Sequence, residues 1–505
     1  MNFKNKVFQI RYIAVWLVMV LLLHCISGVA LADGRKLLQD EWMRTYIQNQ
    51  RVGYTNSRTW EKQREGDIFY ITEITQNFKI ARAGIEFEFD IKQEIEEDAD
   101  GRVTAFRQRL QQGPIEQRMT GRVEDGMLRL VSGSRPDAVE QTFEAPEGLG
   151  PWAAGRRAIE YGYEAGTSYS FAVFMLDAPS TPVVAEVRVG KREKIELYDV
   201  HKWLHRVETV FSIMPGVKSV SWVDGTGLAW LSRMDVGLFE LEVRKAPKHA
   251  ALQPVDEAGV ALDVAVAPDR LLPDPAGLSR VRLKLKPADP GYGLPQLPSG
   301  VFQSVEMVDD GLIVEIVKPE ISSESYNLPY EGSEKSGMLR ESPWLEVNAP
   351  VIGDMALKAV GDEKNAYRAA RRIERFVFEN IEEKGLDLGF ATAAETARQL
   401  SGDCTEHSVL AAALARAAGI PSRVVVGLSY GGPMPGDTTP KFYYHMWTEV
   451  WTGEWVPLDA ALGGFRATNI AIVRRDLSSP DSMFDLAKVV MPLLGRIKIE
   501  VLGYQ

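Results

Sequence analysis

The spacing of hydrophobic residues changes at about Pro350, and no other feature of this chain limits its fold as strongly. From Asp33 to about Leu339, apolar and polar residues alternate with a period of two, as in Ile68–Lys79, Ile85–Glu97, Val103–Gln111 and Tyr169–Phe174. That period puts successive side chains on opposite faces of a pleated strand, so these segments read as half-buried strands. Asp100-Gly101, Asp125-Gly126, Asp224-Gly225 and Asp310-Gly311 lie between them, and Asp-Gly suits the tight turns that join antiparallel neighbours. Large, twisted, mostly antiparallel sheets are expected. Beyond Pro350, Met355, Leu357, Val360, Ala366, Ile373, Phe376, Val377 and Ile381 recur at helical spacing, with Arg371, Arg372, Arg375, Glu379, Glu382 and Glu383 between them. The chain is therefore expected to be multidomain. A leader over 1–32 precedes a β-rich domain over 33–245, a linker and small β module over 246–345, and a domain mixing helices and strands over 346–505. Ala246-Pro247, Pro254, Pro268, Pro273 and Pro275 mark the middle boundary, and Ser279–Lys286 and Gly311–Val317 are the module's short strands.

The leader has the parts of a signal peptide: Lys4, Lys6 and Arg11, then the uncharged apolar run Ile13–Leu23, then Ala30-Leu31-Ala32 as an A-x-A cleavage site. The run is short for a membrane span, although Cys25, Ile26 and Val29 extend it enough to keep open an uncleaved anchor and membrane association through this segment. Leu22-Leu23-His24-Cys25 lacks the small residues that a lipoprotein signal needs. Secretion is expected, in a bacterium to the periplasm. The 58 Lys and Arg against 69 Asp and Glu give a net charge of −11, with the two signs interspersed. That is no footprint for nucleic acid. His201 and His205 are four residues apart on a strand pattern, which does not place them together as a helix would, so no metal and no cofactor is indicated.

Cys25 lies in the leader, which leaves Cys404 as the only thiol of a mature chain. An exporting cell oxidises paired cysteines, so an unpaired one is either a buried structural residue or a reactive group. Its setting favours reactivity. Ala393–Leu400 reads as a short helix, Ser401-Gly402-Asp403 follows, and Cys404 opens a helical run, Thr405–Ala418, that Gly419 and Pro421 close. At a helix start the orphan N–H groups and the positive dipole end favour a thiolate. Gly402 leaves room for a substrate carbonyl near the Cys404 N–H. Arg423–Tyr430 reads as a central strand, and Lys441–Trp451 as a second that carries His445, Trp447 and Glu449 on one face. Thr452-Gly453-Glu454 turns the chain, and Trp455–Asp459 returns beside it, which brings Asp459 within reach of His445. An aspartate on one ring nitrogen orients the imidazole and leaves the other nitrogen for a thiol, so Cys404, His445 and Asp459 are the candidate catalytic residues. Gln399 reads as a surface residue rather than an oxyanion donor, and Trp447 and Trp455 as core or pocket walls. A helix over Ser482–Leu494 and a strand over Arg496–Leu502 complete the tail.

Four segments in order, Gly402-Asp403-Cys404-Thr405-Glu406-His407, Ala415–Arg423, His445–Trp451 and Trp455–Asp459, resemble the bacterial transglutaminase-like superfamily. The resemblance covers roughly Pro350–Arg466. It implies a papain-like α+β core following the antiparallel β region and a Cys-His-Asp triad at Cys404, His445 and Asp459. Asp403 is then a helix cap, and His407 packs or hydrogen-bonds on the Cys404 helix rather than reacting. Ala460 departs from the family pattern, in which proline follows the aspartate in many members. The implied activity is cleavage or transfer of amide or peptide bonds in a protein or peptide substrate through an acyl-thioester, with hydrolysis favoured because nothing marks an amine site. The other class is a catalytically inactive periplasmic binding or scaffold protein on the same fold.

Overall fold

A computed structural model describes residues 31–505 apart from 33–34, 83–84, 114, 134–135, 215, 237–238, 256–264, 290–292, 319–323, 382–390 and 434–437. The leader up to Ala30, together with Glu382 and Glu383, therefore lies outside the described residues. Among the described residues no helix is long and apolar enough to cross a membrane.

The period-two region up to Lys245 forms one antiparallel sheet of 15 strands. Ile85–Glu97 has the ends that its alternation indicates, while Asp67–Arg82, Val103–Gln112 and Ser168–Val173 differ from the expected spans by one to three residues at an end. Asp125 and Gly126 turn the chain between two strands with φ of 50° and 75°, the left-handed pair that a tight hairpin needs. Glu240–Lys245 pairs with Arg35–Ile47, so two runs of hairpins join into a single sheet. Leu149, just past the last strand of one edge, donates from its N–H to Ala172 O at 2.9 Å, and its own carbonyl accepts from Phe174 N at 2.9 Å. This contact covers part of the opposite edge strand.

The alternation gives no hint of the helix Pro151–Tyr161 that interrupts the strands. Its first turn rests on a buried carboxylate: Glu97 Oε1 accepts from Trp152 N at 2.7 Å and Oε2 from Ala153 N at 2.9 Å. A negative charge at a helix start satisfies orphan N–H groups and meets the positive end of the dipole. Gly150 makes room for it, since a Cβ there would lie 2.4 Å from Glu97 Cδ.

Beyond Pro350 the helical period resolves into Pro350–Val360 and Ala366–Asn380, with the Asn365 side chain capping the second by accepting from Arg368 N. Ala393–Gln399 and Cys404–Ala417 follow. The strands of this region form an antiparallel sheet in the order Trp455–Leu458, Lys441–Trp451, Ser422–Gly431 and Asn469–Arg475. The chain thus combines a large N-terminal antiparallel β region with a C-terminal domain of helices and strands. The expected module over Ser279–Val317 pairs with the C-terminal strand Ile497–Tyr504 in a second four-stranded sheet. Its Gln303 side chain donates to Ala471 O at 2.9 Å and accepts from Ala471 N at 2.7 Å, so an amide stands in for a strand partner along Asn469–Arg475. Val266 exchanges two 2.8 Å backbone hydrogen bonds with Phe442 at the start of the His445 strand. Buried apolar residues from Met43 to Val501 form one contiguous core across these sheets.

Burial carries the Glu97 carboxyl from an ordinary 4.5 up to about 7, although the two N–H groups and Arg156 pull it down. The folded-state value is raised, so the native state binds more protons than the unfolded chain between the two values and loses stability as pH climbs through that window. The penalty, of the order of 3 kcal/mol for Glu97, is complete above about pH 7. Asp177, Glu346 and Glu374 are carried to about 7 by the same cause. Thermal denaturation followed by circular dichroism should show the melting temperature falling from pH 5.5 to pH 8, and Glu97→Gln should flatten that slope; an unchanged slope in the variant would contradict the assignment.

Candidate active site

Cys404 is the first residue of its helix, and Asp403 is the N-cap. Asp403 Oδ1 accepts from Thr405 N at 2.8 Å while Glu406 Oε2 accepts from Asp403 N at 2.9 Å, which makes a complete capping box. Glu406 Oε1 also accepts from Ala391 N at 3.2 Å, so one carboxylate ties the helix start to the preceding segment. Gly402 makes room for this arrangement: its φ is +149°, and a Cβ there would lie 2.3 Å from Glu406 Cβ. His407 Nδ1 lies 2.7 Å from Asp403 O, on the helix and in a packing role. Cys404 itself is 7% exposed, and the Ser408 hydroxyl donates to its carbonyl at 2.6 Å.

The Cys404 helix packs on the strand that carries His445. The Thr448 hydroxyl joins them by donating to Ser408 O at 2.8 Å. In the hairpin Thr448 pairs with Leu458, which leaves Asp459 one residue beyond the paired strand and diagonal to His445. His445 Nε2 lies 2.9 Å from Asp459 Oδ2 and 3.0 Å from Oδ1. A carboxylate only accepts, so Nε2 carries the proton and Nδ1 is the acceptor of the neutral ring. Asp459 is 0% exposed. Such a charge must be satisfied from several sides. Asn469 Nδ2 donates to Oδ2 at 2.7 Å and Leu462 N to Oδ1 at 3.2 Å. The Ser429 hydroxyl donates to Asn469 Oδ1 at 2.7 Å, which fixes the orientation of that amide.

Asn469 and Glu374 belong to this network and are absent from the sequence reading. Glu374 Oε1 accepts from Asp459 N at 2.8 Å, and its other oxygen pairs with Arg371. Burial carries Glu374 up to about 7, against the pull of Arg371. A signal for Glu374 existed: it falls on the apolar stripe of its helix, four residues after Ala370 and three before Val377, both fully buried. Asn469 had none, because its strand reaches the site only through the sheet order. Glu449, on the His445 face, is buried and accepts from Arg423 Nε at 2.7 Å and Arg474 Nε at 3.2 Å. Gln399 is exposed and Trp447 fully buried. His201 and His205 stand on a strand, and among the described residues no group of three or more His, Cys, Asp or Glu forms a metal site.

Residues 354–460 match the Transglutaminase-like superfamily, so the chain carries a transglutaminase-like domain over the segment that holds Cys404, His445 and Asp459. Solved structures that resemble parts of the chain include the following three. A proposed cysteine protease from Cytophaga hutchinsonii is 15% identical with a TM-score of 0.28, over 45% of this chain and 86% of that one. A β-barrel-like protein of a domain of unknown function from Brucella abortus is 16% identical with a TM-score of 0.30, over 43% and 98%. The periplasmic domain of TgpA from Pseudomonas aeruginosa, bound to ethylmercury, is 16% identical with a TM-score of 0.26, over 40% and 83%. At these scores the likenesses carry no argument. No curated protein matches the chain.

Removing the Asn469 amide leaves Asp459 short of a donor and the Ser429 hydroxyl short of an acceptor. Asn469→Ala should cost about 1–3 kcal/mol in chemical denaturation. Asn469→Asp should cost more, since it sets a second carboxylate against Asp459.

Proposed function

We propose that this chain is an exported cysteine enzyme that cleaves amide or peptide bonds in a protein or peptide substrate, with Cys404 as nucleophile, His445 as base and Asp459 as the residue that orients His445. The observation that carries the reading is the hydrogen bond from His445 Nε2 to Asp459, which turns Nδ1 into the acceptor on a strand against which the Cys404 helix packs. The cysteine position at a helix start supports thiolate chemistry, and the transglutaminase-like match over 354–460 supports the class.

In this reading the thiol proton passes to His445 Nδ1 as Cys404 Sγ bonds to the carbonyl carbon. The Cys404 N–H, at the positive end of its helix, faces the oxygen on which charge develops. The C–N bond then breaks, the leaving amine takes the proton from the imidazolium, and an acyl-thioester remains. Water, deprotonated by the same imidazole, adds to the thioester and returns the thiol. Hydrolysis is favoured over transfer to an amine because nothing in the sequence marks a dedicated amine site. The periplasm is the proposed compartment, from the leader's charge, apolar run and cleavage motif.

Two measurements test this. Iodoacetamide should alkylate Cys404 at neutral pH, and His445→Ala should slow that reaction at least tenfold; equal rates in the two proteins would remove His445 from the role of base. Peptides released from a cell-envelope extract by the wild-type chain should be missing with Cys404→Ala, and an identical release by both would end the proposal of a cysteine nucleophile.

A further inference from the structure

A cavity lies at the seam between the large sheet and the helical region, and none of Cys404, His445 and Asp459 is part of its lining. Phe89, Leu110, Met119 and Leu176 wall it from the β side, and Trp344 and Phe484 from the other. Its volume is about 140 Å³. A dry engineered cavity of about 150 Å³ takes a benzene molecule, so this space suits an apolar body of roughly one ring. An apolar cleft with a few placed polar groups is the usual form of a small-molecule site.

Three charged side chains line this cavity. Arg118 pairs through Nε with Glu116. Glu395 is committed to the cap of the helix Ala393–Gln399, where Oε2 accepts from Thr392 N at 2.9 Å. Asp177 is different. Its Oδ2 atom is buried and has no hydrogen-bond partner among the described residues. Burial pushes its carboxyl up to about 7, and a hydrogen bond from the Gln108 amide, also in the wall, pulls the other way, which leaves Oδ2 as the open acceptor. An unsatisfied buried carboxylate oxygen costs free energy that a donor brought by a ligand would recover. Of the three charged side chains in the wall, only the Asp177 carboxylate keeps a buried oxygen without a partner among the described residues, and a group that answers it is a cation with N–H donors.

We propose that this seam cavity binds a small primary amine with an apolar body of about one ring, its ammonium group donating to Asp177. Its lining includes none of Cys404, His445 and Asp459, and its test does not require catalysis.

Benzylamine is the probe, with benzyl alcohol and benzoate as controls of the same shape, titrated calorimetrically into the full chain at about pH 8, where the amine and Asp177 are both charged. Saturable binding of benzylamine is expected, with benzyl alcohol at least about tenfold weaker and benzoate weaker still. Asp177→Asn should weaken benzylamine at least about tenfold and leave benzyl alcohol unchanged. Leu110→Trp, which fills the cavity and keeps Asp177, should abolish both and guards against an Asp177 variant that fails to fold; melting curves confirm that each variant tested is folded. Absence of saturable benzylamine binding to the wild-type chain, equal binding of amine and alcohol, or undiminished binding to folded Leu110→Trp would each overturn the proposal.

Discussion

A carboxylate with no solvent exposure is the constraint around which the C-terminal domain is arranged. Asp459 would be too costly to hold ionised in an apolar interior unless donors surround it. The structure surrounds it from three elements: His445 from the neighbouring strand, Asn469 from the far strand of the same sheet, and Leu462 N from its own turn. A fourth element, the helix Ala366–Asn380, holds the Asp459 backbone through Glu374. The sheet order and the placement of that helix are therefore tied to a single charge. Most of the stability of such a group lies in having every partner present, since a half-satisfied buried network is worse than an apolar one. The same saturation leaves the His445 ring one orientation and one proton position.

The start of the Cys404 helix is built by a parallel logic with a different donor set. Asp403 and Glu406 exchange hydrogen bonds with backbone N–H groups, Glu406 reaches on to Ala391, and Gly402 is the residue that leaves Glu406 space. Nothing in this box needs a substrate to explain it. What it does is set the direction of the first turn, and so of the Cys404 N–H and side chain, before any ligand arrives.

Period and turn chemistry made most elements legible, because a period of two and a period of 3.6 are local properties. The strands Ile85–Glu97, Gly311–Val317 and Lys441–Trp451 have the ends that their alternation indicates. The helix Pro151–Tyr161 was hidden for a local reason as well. It is short and rich in small residues, and what completes its first turn is Glu97, more than fifty positions earlier. In the site, the pairing of His445 with Asp459 followed from hairpin geometry, which one turn and two short strands suffice to define. Asn469 did not follow, because it meets Asp459 only after Ser422–Gly431 has been placed between their strands, and no spacing in the chain encodes that order. The seam cavity is less legible still, since its walls come from segments some four hundred residues apart.

The buried acids can be sorted by what they accept. Glu97 holds the N–H groups at the start of Pro151–Tyr161, and Glu346 accepts from Ala394 N at 3.0 Å at the start of Ala393–Gln399. Glu374 holds Asp459 N. Each of these is a carboxyl forced upward by burial and recovered in part by a backbone donor, which is how a helix end or a turn is closed inside a protein without water. Asp177 shares the burial and the upward shift, but its Oδ2 has no such N–H group. If these acids served only to close backbone ends, Asp177 would be the one that closes none, its carboxyl meeting the Gln108 amide instead. Its position in the wall of a ring-sized apolar space supplies a different reason for an acid to be there, because a carboxylate oxygen that no backbone N–H closes can be completed by a ligand.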